Sequence, residues 1–338
     1  MLVDFRSDTV TRPSAEMRNA MFNAPLGDDV FGEDPTVLEL EKFAAEMFGM
    51  EAAIYCPSGT MTNQIAIKAH TRPLEEVICD KLSHIQNYEL AGHAFHSGLS
   101  IKLLTGDRGR LTVSDLEGVI NPDLDWNPVS KLLVLENTCN KGGGSCYELS
   151  DLQEVCAEAK KLGLIRHLDG ARLFNALVRK SYSAGEVGAC FDSISICLSK
   201  GLGAPVGSLL LGEKGFIRDS RRIRKVFGGG MRQAGIIAAA GLFALKNNVD
   251  RLREDHECAA DIAESLAKKS WVKKVVPVET NIVNVEINAD LEGQALIEMW
   301  KNKGILAVEF APQSIRLVTH LDITGDMIHY FKSVNNQI

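Results

Sequence analysis

Short apolar runs separated by helix-length segments constrain this chain more than any other feature. AAIYC (52–56), EVICD (76–80), KLLVLEN (131–137), GLIRHLD (163–169), DSISICLS (192–199) and GSLLLG (207–212) are each strand-sized and bounded by polar or glycine residues. Helical patterns lie between several of them. DPTVLELEKFAAEMFG (34–49) offers Asp34 as a cap, Pro35 for the first turn, apolar residues at helical spacing and Gly49 as a stop. Strand–helix–strand alternation predicts an α/β domain whose mixed, mainly parallel sheet is flanked by helices. A long helical region follows Met231, and the tail then mixes strands (NIVNVEI, SIRLVTH) with helices, an α+β pattern. A chain of 338 residues exceeds one compact core, so two domains are expected: 1–245, large, with an N-terminal arm, and 246–338, smaller.

The formal net charge of −7 argues against a nucleic-acid or anionic-membrane partner, and the basic run RDSRRIRKVF (218–227) is too short to reverse that. No apolar stretch has the length of a membrane span. The start MLVDF meets charge at Asp4, unlike a signal peptide. Eight cysteines without a C-x-x-C pair read as free thiols of a cytoplasmic protein. His93 and His96 in HAFH lack further ligands nearby, so no metal is expected.

Ligands of open parallel sheets sit beyond the carboxyl ends of the strands, and four features fall there. Lys200 follows DSISICLS and precedes a turn containing Gly201, Gly203, Pro205 and Gly207. It is either a lysine poised to form a Schiff base or one whose ammonium reaches solvent from a strand end. Asp169 ends GLIRHLD; it can hold a proton on a heterocyclic nitrogen or cap the next helix. Ser58, Gly59 and Thr60 lie between a strand and a helix, where free N–H groups and hydroxyls suit a phosphate or form an ordinary capped loop. His84 and Tyr88 share a helical face if KLSHIQNYE is helical, and His84 can stack on a planar ring, accept a proton or be structural. Together these features specify pyridoxal 5′-phosphate: a lysine for its aldehyde, a carboxylate for its ring nitrogen, a phosphate cradle and an imidazole.

The blocks DFRSDTVT, GDDVFGEDPT, PSGTMTNQ, HLDGARLFNA, CLSKGLGAPVGSLL and GGGMRQAG closely resemble the low-specificity threonine aldolases, from about Asp4 to Phe331. The resemblance implies the aspartate-aminotransferase-like fold (fold type I) and a homotetramer with active sites at subunit interfaces. It also implies cleavage of L-allo-threonine, L-threonine and related β-hydroxy-α-amino acids to glycine and an aldehyde. By motif it assigns Lys200 to the Schiff base, Asp169 to the pyridinium nitrogen, Gly59 and Thr60 to phosphate, and His84 to the ring face. Ser7, Arg172 and Arg316 resemble the grip on the substrate carboxylate, with Tyr88 and Cys139 nearby. Arg316 interrupts an apolar strand, where an unpaired guanidinium is costly, and two arginine forks suit a carboxylate. Lys225 and Arg232, flanking GGGM, match a segment that reaches the cofactor of a neighbouring subunit.

One departure stands out: ENTCN puts Cys139 where such enzymes have a histidine near the substrate hydroxyl. A thiol is a poorer base than imidazole at neutral pH, leaving His84 or a water to take the proton. β-Elimination, racemisation and transamination on the same cofactor stay open, because one scaffold hosts many chemistries. A dinucleotide-binding reading of KGLGAPVG fails, since Pro205 and a strand stand where a helix is required.

Overall fold

A computed structural model describes residues 1–338. Its large sheet has seven strands, numbered here along the chain: β1 (Ala52–Cys56), β2 (Glu75–Asp80), β3 (Ser100–Leu104), β4 (Val129–Glu136), β5 (Ile165–Gly170), β6 (Ser193–Cys197) and β7 (Ser208–Gly212). They lie in the order β1-β7-β6-β5-β4-β2-β3. All run parallel except β7, which is antiparallel to both neighbours. The turn joining β6 to β7 is too short for a crossover helix, so the chain must reverse. The expected α/β architecture is therefore present, with one inverted strand inside it.

Local chemistry sets the helix ends as the sequence suggests. Asp34 Oδ1 accepts from the Thr36 and Val37 amides at the start of helix Pro35–Phe48, and Gly49 ends it with φ +63°. Leu40, Ala44 and Phe48 of that helix are fully buried. Each large apolar side chain so placed contributes about 1.5–3 kcal/mol. Ser58 Oγ accepts from the Met61 amide and starts helix Gly59–His70.

A second hydrophobic core gathers around Trp300, Phe331 and Ile262. It underlies an antiparallel four-stranded sheet in the order Val308–Ala311, Ser314–Val318, Ile282–Ile287, Val272–Val275. Val3 and Phe5 belong to this core, and strand Val3–Asp4 pairs in parallel with Ile305–Leu306. The N-terminal arm then returns to the large sheet, where Thr11 Oγ1 donates to the Lys200 carbonyl at 3.0 Å. Residues 7–11 thus lie in the seam between the two cores, beside the ends of β5 and β6. No helix is long and apolar enough to cross a membrane.

Candidate active site

Strand register brings the first polar groups together. Glu136 pairs with Asp169 and Asp169 with Ser195, so the carboxyl ends of β4, β5 and β6 are level. Above them opens a cavity of about 410 Å³, lined from the large unit by His84, Glu136 and Lys200 and from the smaller by Phe310 and Arg316. Ser7, Tyr88 and Arg172 also line it.

Lys200 is half-buried, and its Nζ donates to Cys197 Sγ at 3.1 Å instead of reaching outward. Asp169 is buried just behind the lining. It does not cap the next helix, Leu173–Lys180, which has Arg172 at its N-cap and no side-chain cap. Its Oδ1 accepts from the Ala171 amide at 3.1 Å and its Oδ2 from Asn63 Nδ2 at 2.8 Å. At the start of helix Gly59–His70, Ser58 takes the Met61 amide, and no helical carbonyl can take those of Gly59 and Thr60. These two N–H groups and the Thr60 hydroxyl fit an anion.

His84 opens one helical turn, His84–Asn87, with its ring 5.2 Å from that of Tyr88. Its amide donates to Glu136 Oε2 at 2.7 Å, and its Nδ1 lies 2.9 Å from Glu89 Oε1. Burial alone pulls the His84 pKa down. The Glu89 hydrogen bond and the charges of Asp169, Glu89 and Glu136 outweigh it, and the net shift is upward. Glu136 is pushed up by burial and by Asp169.

The two arginines differ. Arg172 gives Nε and Nη2 to the fully buried Asp8, at 2.8 and 2.6 Å. Burial raises the Asp8 pKa, but Arg172, Lys200 and Asn281 overcome this and hold it at about 2. Arg316 meets only neutral partners: Nη1 donates to Asn140 Oδ1 at 2.9 Å and Nη2 to the Arg6 carbonyl at 3.2 Å. Its Nε is buried without a partner, and its guanidinium carbon stands 4.7 Å from the Phe310 ring centroid. Burial and the nearby Arg172 pull its pKa down to about 10. The pair therefore does not present two free forks; one is already closed on a carboxylate.

Other expected residues lie elsewhere. Thr138 and Asn140 line the cavity, whereas Cys139 is buried between them and absent from the lining. Burial, then Glu136, pushes its thiol pKa well up. Lys225 borders a separate cavity of about 610 Å³ beside helix Lys214–Val226, and Arg232 pairs with Asp28 at 2.9 Å. Within one chain neither reaches Lys200's cavity. His93 and His96 are outside it as well. His84, Glu89 and Asp169 bring three ligand-type atoms within 4.8 Å of one another, with the Asn63 amide bonded to both carboxylates.

Asp8, Asn63, Glu89 and Glu136 were not singled out from the sequence. Glu136 had a usable signal, because it ends a buried strand as Asp169 does. Asp8 stands beside Ser7 in RSDT.

Residues 4–290 match the Beta-eliminating lyase family, a class consistent with a strand-end lysine and carboxylate around one cavity. The probable low-specificity L-threonine aldolase 2 of Arabidopsis thaliana is 42% identical, over 99% of this chain and 97% of its own length. The low specificity L-threonine aldolase of Escherichia coli K12 is also 42% identical, over 97% and 96%. The Leishmania major threonine aldolase structure shares the fold, with a TM-score of 0.85 at 21% identity and 99% of each chain covered. The chain belongs to the beta-eliminating lyases and, within them, to the low-specificity L-threonine aldolase family.

Proposed function

We propose that this protein is a pyridoxal 5′-phosphate-dependent aldolase. It cleaves L-allo-threonine, L-threonine and related β-hydroxy-α-amino acids to glycine and an aldehyde, acetaldehyde from the threonines. The observation that carries this reading is the meeting of Lys200, Arg172, Arg316 and His84 in one cavity directly over Asp169.

Bound there, the cofactor supplies an electron sink for the pair left on Cα when the Cα–Cβ bond breaks. Lys200 provides the amine that holds the aldehyde. Asp169, whose two oxygens each accept one N–H, would accept from a protonated ring nitrogen. Gly59 and Thr60 hold the phosphate, with Ser58 fixing the helix start. Arg316, the remaining Nη1 of Arg172 and Ser7 grip the substrate carboxylate, which sets the scissile bond relative to the ring. With Nδ1 tied to Glu89, His84 has Nε2 left to take the hydroxyl proton, directly or through a water.

Two features support a homo-oligomer, with four subunits as the family resemblance suggests. Lys225 and Arg232 sit far from their own chain's site, and Phe31 and Val226 beside them are exposed. Light scattering tests this. The division at 245 and 246 has the support of two separate cores, although Leu252 packs with the large one and Val3 and Phe5 with the small one. Eight free cysteines fit a reducing cytoplasm.

The test is purified protein given pyridoxal phosphate, then each threonine diastereomer, with acetaldehyde measured. Acetaldehyde with equimolar glycine is expected, and Lys200→Ala should lower turnover to the level of free cofactor. Pyruvate or keto acids as the main products would instead establish elimination or transamination.

A further inference from the structure

A continuous line of polar side chains, buried except at the half-buried His70 where it begins, crosses the large sheet and ends on the site's two carboxylates. His70 Nε2 lies 2.8 Å from Ser193 Oγ, which lies 2.8 Å from His167 Nδ1. His167 Nε2 lies 3.2 Å from Asn63 Oδ1. Asn63 Nδ2 then donates to Asp169 Oδ2 at 2.8 Å and to Glu89 Oε1 at 2.9 Å, the oxygen that also meets His84 Nδ1.

Every proton on this line can be placed by chemistry. Ionised carboxylates only accept, so the nitrogen of Asn63 must face them and its oxygen must face His167. His167 Nε2 therefore carries the proton, and Nδ1 accepts from the Ser193 hydroxyl. The Ser193 oxygen is then free to accept from His70 Nε2–H. Both histidines suit neutral forms. Burial pulls the His167 pKa down to about 4 and that of His70 to about 3. Asn63 and His167 are buried, so a reversed amide would oppose an oxygen to two carboxylates with no water to relieve it.

We infer that Asn63 is a positioning residue: one amide nitrogen fixes Asp169 and Glu89, and through Glu89 the His84 imidazole, in a single geometry whose direction is set by His167, Ser193 and His70. The inference rests on the cavity being a pyridoxal phosphate site, because that makes the aim of Asp169 matter. A merely structural amide would stabilise the fold without affecting how Asp169 meets a ligand.

Two measurements test it. In unaltered protein labelled with ¹⁵N-histidine, His167 and His70 should each be neutral and protonated at Nε2. A proton on Nδ1 of His167 overturns the inference. Separately, cofactor-free protein is titrated with pyridoxal phosphate. Asn63→Ala should weaken binding about tenfold or more, as lost outer-shell hydrogen bonds do at metal sites. In an Asp169→Ala background the same change should cost under about twofold, since residues acting through one another are not additive. Equal losses in both backgrounds overturn the inference. If unaltered protein takes up no pyridoxal phosphate, the functional reading fails, and the proton on His167 still decides the direction of the line.

Discussion

Arg172 and Arg316 approach one cavity from opposite sides, and their surroundings differ in kind. Arg172, in the large unit, is buried against Asp8 with two N–H groups on one carboxylate. Arg316, on a strand of the smaller unit, has a carbonyl, an amide oxygen, an aromatic face and one N–H with nothing to bind. A buried charge paired with its opposite is part of the framework. A half-buried charge left with neutral partners is held ready for an anion, and its depressed pKa records the cost of waiting. The difference gives Arg172 a framework role with one nitrogen, Nη1, left for a ligand, and gives Arg316 the larger share of recognition.

The largest effect should come from breaking the paired member. Arg172→Ala leaves Asp8 buried without its main partner, with only Asn281 and the charge of Lys200 in support, a change costing up to about 3–5 kcal/mol. It should appear as a lower urea midpoint of the cofactor-free protein. Arg316→Ala should act oppositely: folding stability holds, while kcat/KM falls by about 2 kcal/mol, roughly thirtyfold, through KM. If both variants lose stability alike, or if Arg172→Ala unfolds no more easily, the distinction is void.

Acid should weaken the same pair. Asp8 has its folded pKa depressed to about 2. Its contribution is therefore complete above the unfolded value, near 3.9, and is lost as pH falls toward the folded one. Full burial means little solvent screening, so the loss amounts to about 2 kcal/mol between roughly pH 4 and pH 2. Urea unfolding across that range should show this slope in the natural protein and not in Asp8→Asn. An unchanged slope in the variant would assign the acid sensitivity elsewhere.

The sequence disclosed what is periodic or terminal and hid what depends on pairing across the sheet. β3 was missed because it is an edge strand, only partly buried, with Lys102 at its centre. The inversion of β7 was likewise unread, although the turn before it is visibly short. Lys200 and Asp169 stood out as charged residues closing apolar runs. Glu136 obeys the same rule, but its contact with Asp169 comes from register between two separated strands. Asn63 and Glu89 carry no periodic signal at all, and only the tertiary fold brings them to Asp169 and His84. Cys139 was assigned to the substrate from its place in ENTCN. Its neighbours on both sides line the cavity, whereas the thiol, in the turn beyond the strand end, is buried against Gly109.

The smallest effect concerns His84, which belongs to the framework by its amide and to the chemistry by its ring. As a base it must be neutral, so kcat/KM should rise with pH through its pKa, shifted upward from the ordinary 6.5. Three carboxylates face it, Glu89, Asp169 and Glu136, but only Glu89 bonds its ring. Glu89→Gln keeps an acceptor and removes the charge, so the inflection should move down by about one unit or more. Activity on the acidic side of the profile should then increase, because more of the imidazole is neutral there. An inflection that stays in place would mean that the titrating base is another group, and His84 would rejoin Arg172 on the structural side of the comparison.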